Sequence, residues 1–260
     1  MRLNYQKYSE SGAPLLVLHG LFGSLGNWGW HSKELSQHHS VIGVDLRNHG
    51  NSPHDAELSY PAMASDVLQL IEDLGFASVA IIGHSMGGKV AMELALQHHR
   101  VVDRLIVVDI APVGYPDDTQ THQRVIAGMK ALDLVGLKTR DEAETFLEDY
   151  IEEEATRKFI LTNLARDEGG GFRWRLNLEA IEKNYGKLRM KPTGETSYQK
   201  PTLFIKGALS SYISSEDEEE ILRLFPEAKL KTIMQAGHWL HVDKPKVFQK
   251  IALNFLADKE

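Results

Sequence analysis

Five consecutive residues, Gly83-His84-Ser85-Met86-Gly87, carry the clearest chemical signal in the sequence. A G-x-S-x-G set between a strand and a helix is an arrangement that thrusts a serine hydroxyl out as a nucleophile. So sharp a turn leaves no room for a side chain two positions before or after the serine, which explains glycine at 83 and 87. The flanks fit: Val79-Ala-Ile-Ile82 precedes the motif and an apolar, helix-length segment follows it. Met86 would open that helix, and its N–H, at the positive helix end, would donate to an oxyanion formed on a carbonyl attacked by Ser85. A second loop, His19-Gly20-Leu21-Phe22-Gly23-Ser24, follows another apolar run. It supplies the other donor, the N–H of Leu21 by position, with that of Phe22 as the alternative.

A serine hydroxyl needs a base to take its proton. Of the twelve histidines, His238 is the favoured base, because it directly follows Gly237 in a loop between the last strand and the closing helix. His241 is its competitor. His19 is read as holding its own loop by hydrogen bonds, and His38-His39 and His98-His99 fall at helix ends. No H-E-x-x-H or comparable metal-ligand spacing occurs. The carboxylate that orients the base is expected between Ser85 and His238 in the chain. The loop after the Thr202 to Lys206 strand, Gly207 to Ile213, contains none, and Glu216 and Asp217 fall in the first turn of the next helix. Asp109, delivered by Leu105-Ile-Val-Val-Asp109, is the chosen acid, since strands about 4.8 Å apart bring it within reach of a histidine loop. Asp45 ends a strand in the same way, but it precedes Ser85 and leads into Arg47-Asn-His-Gly50, so it is read as holding a loop.

These residues need a scaffold that gathers loops at one sheet edge. Pro14 to Leu18, Ser40 to Val44, Ser78 to Ile82 and Arg104 to Val108 read as strands buried on both faces, with helices near Trp28 to His38, Tyr60 to Leu74 and Gly87 to His98 between them. This is the pattern of an α/β fold with a mostly parallel, doubly wound sheet. From Pro112 to about Lys200 apolar residues recur at helical spacing: Val125, Ile126, Met129 and Leu132; Phe146, Leu147, Tyr150 and Ile151; Phe159, Ile160, Asn163 and Leu164; Leu178, Ile181 and Tyr185. The α/β alternation then resumes with Thr202 to Lys206, Glu216 to Leu224, Lys229 to Met234 and Pro245 to Leu256. The expected organisation is one core made of residues 1–111 and 201–260, with residues 112–200 as a helical lid.

The composition, 42% hydrophobic and 25% charged, is that of a globular protein. No apolar run approaches the roughly 20 residues of a membrane span, and the first ten residues lack the apolar core of a secretory signal, so a cytoplasmic location is expected. The absence of cysteine excludes disulfides, thiolate metal sites and a cysteine nucleophile. A net charge of -7 has the wrong sign for nucleic acid.

The motifs resemble the α/β-hydrolase superfamily, in which His19-Gly20, Asp45-x-Arg47-x-x-Gly50-x-Ser52, Gly83-x-Ser85-x-Gly87 and Gly237-His238 have counterparts in the same order. More narrowly, HGLFGSLGNW, VDLRNHGNSP, IGHSMGGK, VDIAPV and GHWLHVDKP are similar to the small bacterial YbfF-type esterases, a group associated with acyl-ester and acyl-CoA hydrolysis. The chain departs from the superfamily's commoner pattern in having no carboxylate between Gly207 and Ser214; in the narrower group the acid corresponds to Asp109. The resemblance implies a serine esterase or thioesterase with a Ser85, Asp109 and His238 triad, no cofactor and no metal, and a lid that shapes the pocket. Phe22 and Trp239 are the candidate substrate-binding residues. Phe146, Phe159, Trp174 and Tyr185 offer an apolar lining, and Lys187, Arg189 and Lys191 would suit the phosphates of coenzyme A. A ligand sensor, a carbon-carbon bond hydrolase and an acyltransferase are the competing readings. Activity is expected to rise with pH through an imidazole titration, near about 6.5 for an unperturbed ring.

Overall fold

Alternate residues of a strand face opposite ways, so a strand apolar at every position must be covered on both sides. Leu16, Leu18, Ile81, Leu105 and Val107 join one buried cluster, while Leu15, Val17, Ile82, Ile106 and Val108 join a second. The computed structural model describes residues 1–116 and 120–257, and only the backbone of 120 and 121. The strands are β1 (Tyr5–Lys7), β2 (Ala13–Leu18), β3 (His39–Val44), β4 (Val79–His84), β5 (Val102–Val108), the pair β6 (Leu164–Arg166) and β7 (Phe172–Trp174), then β8 (Thr202–Gly207) and β9 (Ala228–Ile233). The central sheet has the order β1-β3-β2-β4-β5-β8-β9. It is parallel apart from β1, which runs antiparallel to β3. The exposed three-residue strand β1 gave no sequence signal, because it has no buried face to impose an alternation.

The helices are α1 (Gly29–Leu35), α2 (Tyr60–Asp73), α3 (Met86–Gln97), α4 (Gln120–Ala131), α5 (Arg140–Leu147), α6 (Glu154–Leu161), α7 (Leu178–Leu188), α8 (Glu218–Leu224), α9 (Leu240–Asp243) and α10 (Pro245–Ala257). α2 shows how the sequence sets its own limits. The Ser59 side chain accepts from the N–H of Ala62, Pro61 sits in the first turn, and Gly75 ends the helix with φ +73°. α2 packs on α3, α3 covers β4 and β5, and α1 and α10 pack together on the other side of the sheet. The stretches expected as helices from Trp28 and from Glu216 open as short 3-10 turns, Leu25–Trp28 and Ser215–Asp217.

The segment between β5 and β8 is not helical throughout. α6 ends at Leu161, and Leu164, placed at helical spacing after Ile160, instead starts β6. The reason is the turn Asp167-Glu-Gly-Gly-Gly171: an Asp167 carboxylate oxygen accepts from the N–H of Gly171 at 2.7 Å and Gly170 takes φ +83°, folding the chain back into the β6–β7 hairpin. Val125, Met129, Leu147, Ile160 and Ile181 from this segment join the same cluster as α2 and α3. Residues 117–119 of the expected lid lie outside the described residues.

β2 is flanked by β3 on one side and β4 on the other, so the chain reverses direction across the sheet at β2 and β4. Loops leaving the carboxyl ends of two such strands part from each other and leave a crevice, the usual ligand position in open α/β sheets. The Gly20 loop and Ser85 lie at that crevice.

Candidate active site

Ser85 stands between β4 and α3 with φ 52° and ψ −117°, a conformation that non-glycine residues rarely adopt. Its N–H donates to Val108 O at 3.0 Å and its carbonyl accepts from Lys89 N at 3.0 Å, so neighbouring elements hold the strain. A Cβ at position 83 would lie 2.3 Å from Gly87 O, and one at position 87 would lie 2.5 Å from His19 O and 2.6 Å from Leu18 O. Glycine is therefore required at both places by contact. Met86 is the first residue of α3, and the opening N–H groups of a helix have no intrahelical acceptor.

The turn Gly20–Gly23 closes with a 3.0 Å bond from Gly23 N–H to Gly20 O and has Phe22 at φ +59°. Leu21 is its second residue. His19 fixes this loop: its Nδ1–H donates to Gly20 O at 2.8 Å and its Nε2 accepts from Leu46 N–H at 3.0 Å. Asp45 ties down the neighbouring loops by accepting from Leu25 N–H, Asn51 N–H and the Asn4 side-chain amide.

Asp109 follows β5, is completely buried and has φ +52°. Its Oδ2 accepts from His238 Nδ1 at 2.8 Å and from the Ser210 hydroxyl, while Oδ1 accepts from Gly207 N–H at 3.0 Å. The loop that holds no carboxylate thus holds the carboxylate of its neighbour. Ser210 gave no sequence signal, being one of two adjacent loop serines. The ring of Tyr212 stacks on His238 with centroids 4.1 Å apart. His84 Nε2–H donates to His238 O at 2.9 Å, and Asp243 accepts from Gly237 N–H at 2.8 Å, so the loop that carries His238 is held at two points. His241 faces a different set of partners: it is buried, stacks on Trp28 at 4.3 Å, and its carbonyl accepts from His31.

Ser85, half-buried, and His238 line the same cavity, about 350 Å³, whose walls include Phe22, Val125, Phe159, Ile160, Trp239 and Val242. Trp239 packs against Phe159 with centroids 5.2 Å apart. A second cavity of about 370 Å³ adjoins it, walled by Tyr60, Lys89, Tyr115, Tyr185 and Arg189. Leu21, Ser85, His122 and Tyr212 line both, which puts Ser85 at their junction. Lys89 Nζ donates to Val113 O at 2.7 Å and Met190 O at 2.6 Å, joining the two ends of the inserted segment, and burial draws its pKa down to about 7. Trp174, one of the four aromatics of the inserted segment expected to line the site, is packed away with its Nε1–H on Met129 O, and Phe146 stacks on Tyr150. Lys187 and Lys191 border a separate outer cavity of about 820 Å³ that shares Tyr60 with the second chamber.

Burial keeps His19, His31, His84 and His241 below the ordinary imidazole value and takes His49 to about 3 and His122 to about 4. In the unfolded chain these rings titrate near about 6.5. Below that pH the unfolded chain binds protons that the native rings refuse. Stability is therefore complete above about pH 6.5 and falls as pH drops, by up to about 1.4 kcal/mol per unit for each such ring. Scanning calorimetry between pH 7.5 and 5.5 is expected to show Tm falling with pH by an amount worth several kcal/mol. A flat profile would contradict neutral burial of these rings.

The sheet, its flanking helices and the serine turn define a class of protein, and comparison with known sequences agrees. The alpha/beta hydrolase fold family matches residues 13–245, and the chain belongs to that family. It is 42% identical over 255 residues to the sn-1-specific diacylglycerol lipase ABHD11 of Mus musculus, covering 95% of this chain and 82% of that relative. It is 33% identical over 262 residues to esterase YbfF of Escherichia coli, covering 99% of this chain and 100% of the relative. Among solved structures, a marine microorganism esterase superposes with a TM-score of 0.96 at 44% identity, covering 98% of this chain and 99% of the other.

Proposed function

We propose that the protein hydrolyses carboxylic esters through an acyl-enzyme formed on Ser85, with His238 as base and Asp109 as its orienting acid. The protein is an enzyme, a carboxylic ester hydrolase; the residue roles and the substrate range are the proposal. The observation that carries it is the hydrogen bond from His238 Nδ1 to the buried carboxylate of Asp109, beside the cavity that Ser85 lines. That bond leaves Nε2 as the ring's acceptor. Nε2 takes the Ser85 proton as Oγ attacks the carbonyl, and the N–H groups of Leu21 and Met86 receive the oxyanion. Collapse of the tetrahedral adduct expels the alcohol or thiol, which takes its proton from His238. Water, deprotonated by the same ring, then releases the acid.

The chamber with Phe22, Phe159 and Trp239 suits an apolar acyl chain, and the chamber with Tyr60, Lys89 and Tyr115 suits the more polar leaving group. The segment 112–200 acts as the lid over both. A glycerolipid ester agrees with the name of the mouse relative. An acyl-CoA thioester agrees with Lys187 and Lys191 at the outer cavity beyond Tyr60. The two are separated by assaying p-nitrophenyl esters of increasing chain length, diacylglycerols and acyl-CoAs with the parent enzyme and Ser85→Ala. Hydrolysis of esters that is lost in Ser85→Ala is expected. A panel on which the parent shows no turnover, while retaining bound ester, would instead make it a sensor.

A further inference from the structure

Asn163 lies between α6 and β6, in the inserted segment, and is completely buried. Its Nδ2 donates to Phe22 O at 2.7 Å and to Ile160 O at 3.2 Å, and its backbone carbonyl accepts from Arg175 N–H at 2.9 Å. Its Oδ1 is buried with no partner among the described residues. An unpaired amide oxygen in the interior costs stability that an apolar side chain of the same shape would not. Packing therefore does not explain an asparagine here; the donor does.

The acceptor is the informative partner. Phe22 is the third residue of the Gly20–Gly23 turn and sits at φ +59°, a conformation that type II turns demand at this position and that glycine ordinarily supplies. A phenylalanine there is strained. Relaxation would rotate the peptide unit between Leu21 and Phe22, which carries the Leu21 carbonyl and the Phe22 N–H, and swing that carbonyl across the turn. Neighbouring atoms leave little slack, since a Cβ on Gly20 would meet Ser85 Cβ at 3.3 Å and one on Gly23 would meet Gly20 O at 2.9 Å. The Asn163 bond pins the far side of this turn from across the crevice. Two other asparagines of the inserted segment grip core loops in the same manner: Asn177 on Asn48, and Asn184 on Ala56 O at 2.9 Å. Of these three, Asn163 is the one that does so at the turn that contains Leu21.

We infer that Asn163 is a positioning residue that couples the inserted segment to the oxyanion turn: by fixing Phe22 O it holds the Leu21–Phe22 peptide unit against rotation, so that the Leu21 carbonyl does not swing toward the oxyanion that the Leu21 N–H receives. The inference rests on the reading of Leu21 as an oxyanion donor. It gives the inserted segment a second task besides covering the cavity: seated, it completes the anion site; displaced, it lets the turn relax.

The test uses the full chain with Asn163→Leu, close in shape to asparagine, and Asn163→Ala, neither of which can donate to Phe22 O. Rates are normalised to the fraction of Ser85 titrated by a fluorophosphonate. With p-nitrophenyl acetate, kcat is expected to fall about 10- to 100-fold with KM within about twofold, the pattern of an interaction made in the transition state. Affinity for phenylboronic acid, which forms a tetrahedral adduct on the serine, is expected to fall by a similar factor. A purely structural anchor would lower Tm and leave kcat per titrated site and boronate affinity unchanged, and that result overturns the inference. If Asn163→Leu fails to fold, Asn163→Ala carries the same readouts. A parent enzyme that Ser85→Ala leaves active defeats the underlying reading and this inference with it. A parent that needs Ser85, with Asn163 variants of unchanged kcat, defeats this inference alone.

Discussion

Ser85→Ala is expected to lower kcat for p-nitrophenyl acetate by roughly 10⁴- to 10⁶-fold, the range seen when the nucleophile of a serine hydrolase is removed. Alanine keeps the backbone and both glycine contacts of the turn, so the loss falls on the covalent step and KM should change little. No hydrogen bond of the Ser85 hydroxyl supports the surrounding fold among the described residues, and Tm should stay near the parent value. Loss of fluorophosphonate labelling should accompany the loss of rate. Parent-like turnover by this variant would end the case for an acyl-enzyme.

The second large effect is expected at Asp109, the proposed acid. Asp109→Asn places an amide where Oδ2 accepts from both His238 Nδ1 and the Ser210 hydroxyl. With Oδ1 still held by Gly207 N–H, the new NH₂ faces the imidazole, and the ring must turn to the tautomer that carries its proton on Nε2. That nitrogen then cannot take the Ser85 proton. A drop of about 10⁴-fold in kcat is expected, as for the corresponding change in a serine protease triad. Ser210 can rotate its hydroxyl to accept from the new amide, so the fold should survive. Glu216→Gln is the control, because Glu216 is exposed at the start of a 3-10 turn and touches neither His238 nor the cavity. If Glu216→Gln disabled the enzyme and Asp109→Asn did not, the acid would be misassigned.

How far the site can be read from the chain follows from how local each part is. The serine turn is specified within five residues, because the glycines at 83 and 87 answer clashes with backbone a few bonds away or on the next strand. The strands from β2 to β5 are legible because burial on both faces forces continuous Val, Ile and Leu. The helical spacing of the inserted segment is legible for the same reason, and fails at Leu164, where a glycine-rich turn overrides a periodicity only a few residues long. The edge strand β1 buries nothing and so writes nothing into the sequence.

The chain by itself determined the α/β class, the strained turn that carries Ser85, and a short list of histidines and carboxylates near the right sheet edge. Tertiary structure brought particular members of that list together. It set Asp109 on His238 across 129 residues of chain, supplied Ser210 and Gly207 N–H to hold the carboxylate, stacked Tyr212 on His238, and laid Asn163 on Phe22 across 141 residues. Periodicity encodes only which side of an element is buried. Which buried groups meet depends on strand order and on how an insertion returns over the sheet, and no local pattern of residues contains that.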